Sequence, residues 1–243
     1  MKAVLRWIAL AIIAFVGLQL FFVGRIAAMA VIDPESTTFQ RSEAWRIATE
    51  RDRLRWRQQW VPYERISDNL KRAVIASEDG SFANHDGVDW DALEKAWARN
   101  AKAEEFAARR AQLAPSRARP PKIVGGSTIT QQLAKNLLLS GERTLLRKGQ
   151  EIVLTFALEN ALTKQRILEI YLNNVEWGEG VFGAEAAAQH YFRKPASRLS
   201  AYEAARLAVM LPQPKRFEKT PGSGYLAGRA HTIVARMRDA ELP

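Results

Sequence analysis

The sequence predicts a mostly α protein carried on a single N-terminal transmembrane helix, and three observations lead there. Residues Trp7–Gly24 run eighteen positions without a charge; at about 1.5 Å per residue this is roughly 27 Å of helix, close to the hydrocarbon thickness of a bilayer. Beyond that run, apolar residues recur at helical spacing between capping signals, with no convincing alternating strand and no internal repeat. The 243 residues are 47% hydrophobic and 26% charged, the balance of a chain that folds around a core. Cysteine is absent, which excludes a disulfide framework, a thiolate metal site and a cysteine nucleophile together. The formal charge of +10 points to an anionic partner, and nucleic acid, a membrane surface and a phosphorylated substrate all satisfy it.

Residues 1–6 carry Lys2 and Arg6 ahead of the apolar run, which favours a cytoplasmic N-terminus. The span is read as 7–32, because Ile26–Ile32 stay apolar after Arg25 and an arginine near a helix end snorkels to the interface. A cleaved signal peptide is the competing reading, with Ala28-Met29-Ala30 as its small-x-small site, but the run exceeds the usual signal core. Residues 33–60 form a basic juxtamembrane segment, either a solvated helix or a collar for anionic headgroups. Residues 99–122 hold seven basic and two acidic residues, and Pro115, Pro120 and Pro121 end any helix there, so a mobile basic loop is expected. Helical patterns follow from Arg147 to Asn173, with Ile152, Phe156 and Leu158–Leu162 near one face and Thr163 as a break or N-cap. An alanine-rich stretch covers 183–192, and Ser200-Ala201-Tyr202-Glu203 is a capping box that opens a helix closed by Pro212.

Four stretches could carry chemistry. In Ser77–Gly87, two adjacent carboxylates follow an apolar run, and an acid there is desolvated toward the pKa of a general base. The plain alternative is that Glu78 and Asp79 decorate a helix end while His85 caps a turn. In Gly125–Asn136, glycines precede a hydroxyl cluster, and the Thr128-x-x-Gln131 box opens a helix whose N–H groups suit phosphate, with Lys135 on the same side. The plain alternative is an ordinary capped helix. Arg143 and Arg147–Glu151 set three cations beside a carboxylate, able to hold a pyrophosphate with a divalent ion, or simply to pair on a surface. In Lys164–Asn174 the periodicity of Ile167, Leu168, Tyr171 and Leu172 reads as core.

Taken in order, EDGSFANHDG, GGSTITQQLAKN, RKGQE, KQRILEIYLNN and GAEAAAQHYFRKPASRLSAYEAARLA resemble the motifs of the peptidoglycan glycosyltransferase family, over roughly Val61 to Phe217. The resemblance implies a lysozyme-like helical domain at 61–217, followed by a C-terminal segment at 218–243. It implies an enzyme that polymerises lipid II, an undecaprenyl-pyrophosphoryl disaccharide-pentapeptide, into glycan strands with inversion. The match is to the monofunctional, membrane-anchored members, since no Ser-x-x-Lys or Lys-Thr-Gly of a transpeptidase is present. Carried over by position, Glu78 is the base that takes the acceptor's 4-hydroxyl proton, and Glu151 is the second functional glutamate, beside the donor pyrophosphate and its metal. Ser127, Thr128, Gln132, Lys135, Arg143 and Lys148 fall among the substrate-binding positions. The implied cofactor is Mg²⁺ or Mn²⁺, held mainly through the pyrophosphate. The implied partners are lipid II, the growing strand, membrane lipids and other cell-wall synthesis proteins, with the domain outside the cytoplasmic membrane. In the family the segment between the first two motifs lies near the bilayer, so Trp90, Leu93, Trp97 and Phe106 are expected to include residues that dip into lipid.

Three competitors are weighed against this. A lysozyme-like hydrolase or lytic transglycosylase has no pyrophosphate to hold, so the cations around Ser127–Lys148 count against it. A catalytically silent cell-wall scaffold has no need of Glu78 and Glu151. A nucleic-acid binder lacks an interleaved aromatic platform, and the anchor puts the domain on the wrong side.

Overall fold

Polar residues at helix starts set most of the element boundaries. In the computed structural model, residues 1–51, 55–113, 120–121, 123, 125–139, 141–142 and 144–243 are described. Helix α1 (Lys2–Ala28) leads to α2 (Thr38–Arg51), which opens where Thr37 and Gln40 exchange side-chain and backbone hydrogen bonds. Strand β1 (Arg57–Gln58) precedes α3 (Asp68–Glu78), capped by Ser67. Helix α4 (Trp90–Leu113) starts where Asp89 accepts the Ala92 N–H at 2.7 Å. Helix α5 (Ile129–Leu138) opens on the Thr128–Gln131 capping box, α6 (Leu145–Ala161) on Thr144, and α7 (Lys164–Asn174) on Thr163. Strands β2 (Glu176–Gly178) and β3 (Val181–Phe182) form a small sheet with β1, in the order β1-β3-β2, parallel on one side and antiparallel on the other. Helices α8 (Ala184–Phe192), α9 (Ala201–Met210), α10 (Pro214–Phe217) and α11 (Gly224–Arg236) complete the chain, with α9 opened by the Ser200–Glu203 box.

The core gathers on α7, where Ile167, Leu168, Ile170, Tyr171 and Leu172 are all buried. Helix α9 packs on α3 and α11, and α5 lies against α6, α2 and α7. Burying a large apolar side chain of this kind contributes about 1.5–3 kcal/mol each. The mostly α architecture and the single long apolar helix are as the sequence predicts.

Three details differ. The basic loop expected over 99–122 is helical as far as Leu113, because Ala101, Ala103, Ala107, Ala108 and Ala111 with interspersed Arg, Lys and Glu are strong helix formers and no proline occurs before Pro115; residues 114–119 and 122 lie outside the described residues. On α6 the buried face is Leu154, Thr155 and Leu158, while Phe156 is exposed and Ile152 only half-buried. Among the described residues three strands exist where none was expected; at two or three residues each they are too short to show a period.

The aromatic residues expected at the lipid do not form one stripe. Trp90 and Trp97 are exposed and, seven apart, share a face of α4. Phe106 is also exposed, but nine residues past Trp97 it points to the opposite side, about 180° round the helix. Leu93 is half-buried, its side chain beside Gly126.

Candidate active site

Glu78 closes α3, and the residue after it leaves the helix in an extended conformation. Its Oε2 accepts a hydrogen bond from Gln132 Nε2 at 3.0 Å, and the Ser77 hydroxyl lies 3.5 Å from Oε1. Burial raises the Glu78 carboxyl above its usual range; the bonds from Gln132 and Ser77 and the charge of Lys135 oppose that, while Asp79 adds to it. Gln132 is held in turn by the Tyr171 hydroxyl, which donates to its Oε1 at 3.0 Å. Tyr171 is fully buried, and burial with the nearby Glu78 and Asp79 charges pushes its phenol well up, so it stays a neutral donor. Gln132 is therefore oriented, with its amide N–H aimed at the Glu78 carboxyl.

The neighbouring carboxylate is built into the fold instead. Asp79 accepts the Ile129 N–H at 2.9 Å, and His85 Nε2 lies 2.9 Å from its other oxygen. His85 Nδ1 accepts the Gly87 N–H, so Nε2 carries the proton and donates to Asp79. The turn expected to be capped by His85 is real, and Asp79 is what orients the ring.

These bonds correct one expectation. At the N-terminus of α5 three of the N–H groups are already taken, and Thr130, which carries another, is fully buried. Asp79 takes Ile129, the Thr128 hydroxyl takes Gln131, and the Gln131 side chain takes Thr128 itself. The anion at the positive end of this helix is the protein's own Asp79. Thr128 is buried and its hydroxyl also donates to Gly87 O at 2.6 Å, so it ties α5 to the first motif and offers no hydroxyl to a ligand.

Two clefts meet along this helix start. One, of 610 Å³, is lined by Glu78, Trp90, Lys95, Arg99 and Ser127. The other, of 670 Å³, is lined by Ser127, Gln132, Lys135, Arg147, Lys148 and Glu151. Ser127 borders both, and Gln132 lines the second while bonding Glu78, which lines the first. The structure thus gathers Glu78, Ser127, Gln132, Lys135, Lys148 and Glu151 at one locality. Arg143 lies outside the described residues.

Glu151 is 3% exposed, and both of its oxygens are engaged, by Arg147 at 2.8 Å and Lys148 at 2.5 Å. A carboxylate flanked by two cations is a poor metal ligand, since a divalent ion there meets like charges and must displace one of them. One other group, Asp79, His85 and Asp89, brings three ligand atoms within 4.8 Å among the described residues. Its atoms are already bonded to Ile129, Gly87, Ala92 and Ser81. Neither group fits a resident metal; Glu151 instead fixes the guanidinium and ammonium that face the second cleft. Arg147 is one of the three cations read beside Glu151 in the sequence, though not one of the positions carried over from the family, and its place four before Glu151 is a helical ion-pair spacing.

Residues 46–238 match the family model described as transglycosylase. A protein of Burkholderia thailandensis named biosynthetic peptidoglycan transglycosylase is 54% identical over 246 residues, covering 100% of this chain and 90% of that one. Proteins with the same name from Burkholderia pseudomallei and Paraburkholderia xenovorans are 51% and 49% identical, covering 100% and 98% of this chain. With a family match across most of its length and full-length relatives at about half identity, the chain belongs to the transglycosylase family.

Proposed function

We propose that the protein is a peptidoglycan glycosyltransferase that polymerises lipid II, with Glu78 as the base and Lys135, Arg147 and Lys148 as the clamp on the donor's pyrophosphate. The observation that carries this is the pair of clefts joined at Ser127, a desolvated carboxylate in one and converging cations in the other. The acceptor occupies the first cleft with its 4-hydroxyl against Glu78. That oxygen attacks C1 of the donor's muramic sugar from the face opposite the leaving group, and the proton passes to Glu78. The C1–O bond breaks, its electron pair goes to the lipid pyrophosphate, and the configuration inverts. The cations in the second cleft stabilise the developing charge, with Glu151 holding two of them in place.

The chemistry also separates this reading from a hydrolase. A glycan-cutting enzyme must protonate a poor sugar leaving group with a second carboxylic acid. Of the other acids lining the cleft of Glu78, Asp79 and Asp89 are committed to backbone and side-chain donors, and Asp91 is an exposed carboxylate of the first turn of α4, without the burial that raises the pKa of a general acid. A pyrophosphate leaves without a proton if its charge is met, so one base and a cationic clamp are enough. Mg²⁺ or Mn²⁺ in this reading travels with the pyrophosphate, and no protein carboxylate is assigned to it.

Helix α1 is long and apolar enough to cross a bilayer. With Lys2 and Arg6 before it, we take it as a single-pass anchor of the cytoplasmic membrane with the domain outside. The test is turnover of lipid II by the full-length protein in detergent with Mg²⁺, beside Glu78→Gln, with products resolved on a gel. Long glycan from the wild type and none from the variant is the expected result. Undiminished polymer from Glu78→Gln would remove the base assignment, and no polymer from a folded wild type would remove the polymerase.

A further inference from the structure

The cleft that holds Lys148 and Glu151 has an acidic part of its lining that the reaction above does not use, made by Glu43 of α2 and Glu176 of β2. Glu176 is 6% exposed, yet its Oε1 has no hydrogen-bond partner. The cations around it are shared with other acids. Lys215 of α10 is hydrogen-bonded to Glu43 and only ion-paired with Glu176, 3.6 Å from its Oε1. Arg46 of α2 is shared among Glu43, Glu50 and Glu179. Tyr191 of α8 donates its hydroxyl to Trp177 O at 2.7 Å. A buried acceptor left unmade is costly, and natural interiors contain few of them. The backbone that carries it is rigid: β2 pairs with β3, and the buried Trp177 next to it donates to Leu207 O.

We propose that Glu176 is a substrate-contacting specificity residue, whose carboxylate turns its unmet hydrogen-bonding capacity to an O–H or N–H group on the saccharide–peptide part of the lipid-pyrophosphate donor. The inference rests on the polymerase reading and adds a second anchor point to it. The phosphates are drawn to Lys135, Arg147 and Lys148 and repelled from Glu43 and Glu176, so the group that meets Glu176 is a neutral or cationic donor. One cleft then reads both ends of the molecule, charge at one and hydrogen bonding at the other.

The arrangement has a pH signature. Burial pushes the Glu176 carboxyl up to about 7, with Glu43 adding to the rise and Lys215 and Arg46 opposing it. A hydrogen bond donated to this carboxylate favours the ionised form, so binding releases a proton and affinity rises as pH passes upward through about 7.

The experiment measures the dissociation constant of lipid II in detergent micelles at pH 6 and pH 8. It compares the full-length wild type with Glu176→Gln and Glu176→Ala, alongside the polymerisation KM and kcat of each. Expected are tighter wild-type binding at pH 8, a smaller pH step in Glu176→Gln, and a Kd and KM for Glu176→Ala raised about tenfold with kcat within about threefold. The Gln variant is nearly isosteric and removes a buried charge, so it keeps the test open if the Ala variant fails to fold. Binding by both variants within about twofold of wild type, an unchanged pH step in Glu176→Gln, or a kcat loss with Kd and KM unmoved would each overturn it. The binding arm needs no turnover: failure of the polymerase reading shows as absent polymer, while failure of this one shows as unchanged binding.

Discussion

At the scale of single residues, Glu78 and Asp79 are neighbours in sequence and opposites in environment. Asp79 receives one backbone and one imidazole donor, one on each oxygen. Glu78 receives one close donor, from Gln132, and burial leaves its carboxyl raised. The consequence for stability has a definite sign. A carboxyl raised by folding is favoured in its protonated form, so its ionisation destabilises the folded state. That loss sets in as pH rises past the carboxyl's unfolded value and is complete above its folded value. Glu78→Gln should therefore match the wild type in Tm near pH 4 and exceed it at pH 8, while losing polymerase activity at both. Thermal unfolding of the two proteins at those pH values checks this; equal Tm at pH 8 would mean that the Glu78 carboxylate is not strained by the fold. The adjacency of the two acids was readable from the sequence, but their division of labour was not, because Asp79's partner Ile129 lies fifty residues away.

At the scale of elements, α5 is the piece that joins the two halves of the reaction, and a turn in the first motif is what seats it. Gly87 has a φ of +88°, and its carbonyl receives the Thr128 hydroxyl. A Cβ at this position would stand 2.7 Å from Thr155 Cγ2 and 2.8 Å from Glu159 Cγ. Glu159 cannot yield freely, since it is held by Thr130 at 2.6 Å and Lys164 at 2.8 Å. Gly87→Ala therefore combines an unfavourable backbone conformation with overpacking, about 3 kcal/mol in sum, and should lower Tm by on the order of 10 °C. Gly80→Ala is the matched control: nothing lies within 4 Å of its added Cβ. Similar Tm changes for the two would show that the turn does not carry the junction. Much of this was legible in advance. The capping boxes at Thr128 and Ser200, the cap at Thr163 and the apolar face of α7 follow from side-chain types at fixed local offsets, and all are present. What escaped was non-local or too short. The Lys215–Glu43 pair joins residues 172 apart, the strands lack a period, and the α5 N-terminus was filled by an aspartate from another motif.

At the scale of the whole molecule, α1 is more than a tether. Its apolar window is wholly unburied, as a membrane span requires, but its last turns enter the domain. Ile26 and Met29 are 0% and 3% exposed and belong to the same core cluster as Leu154 and Leu158 of α6, with Phe22 packed against it. Arg166 fastens the exit, donating to Met29 O at 2.8 Å and pairing with Asp33 at 2.7 Å. Further in, Gln19 and Gln150 of α6 hydrogen-bond to each other at 2.8 and 3.3 Å. Gln19 is nine residues before the end of α1, about 14 Å along its axis. Helix α6 therefore runs beside the span, with Leu145 and Leu146 of its first turn exposed. The helix that carries Lys148 and Glu151 is thus set by its packing on the anchor, and the two should be energetically inseparable. Losing the core contacts of Ile26 and Met29 costs about 2–5 kcal/mol each, a large part of the 5–15 kcal/mol that typically stabilises a domain. A protein beginning at Phe21 keeps Phe22, Ile26, Met29 and Asp33, and should unfold within about 3 °C of the full-length chain in detergent. One beginning at Pro34 loses all four, and should fall by about 10 °C or more and aggregate when detergent is diluted. Equal Tm values for the two truncations would show that α1 is only a leash. The gap expected between them instead makes the last turns of α1 and the residues just after it a structural part of the catalytic domain.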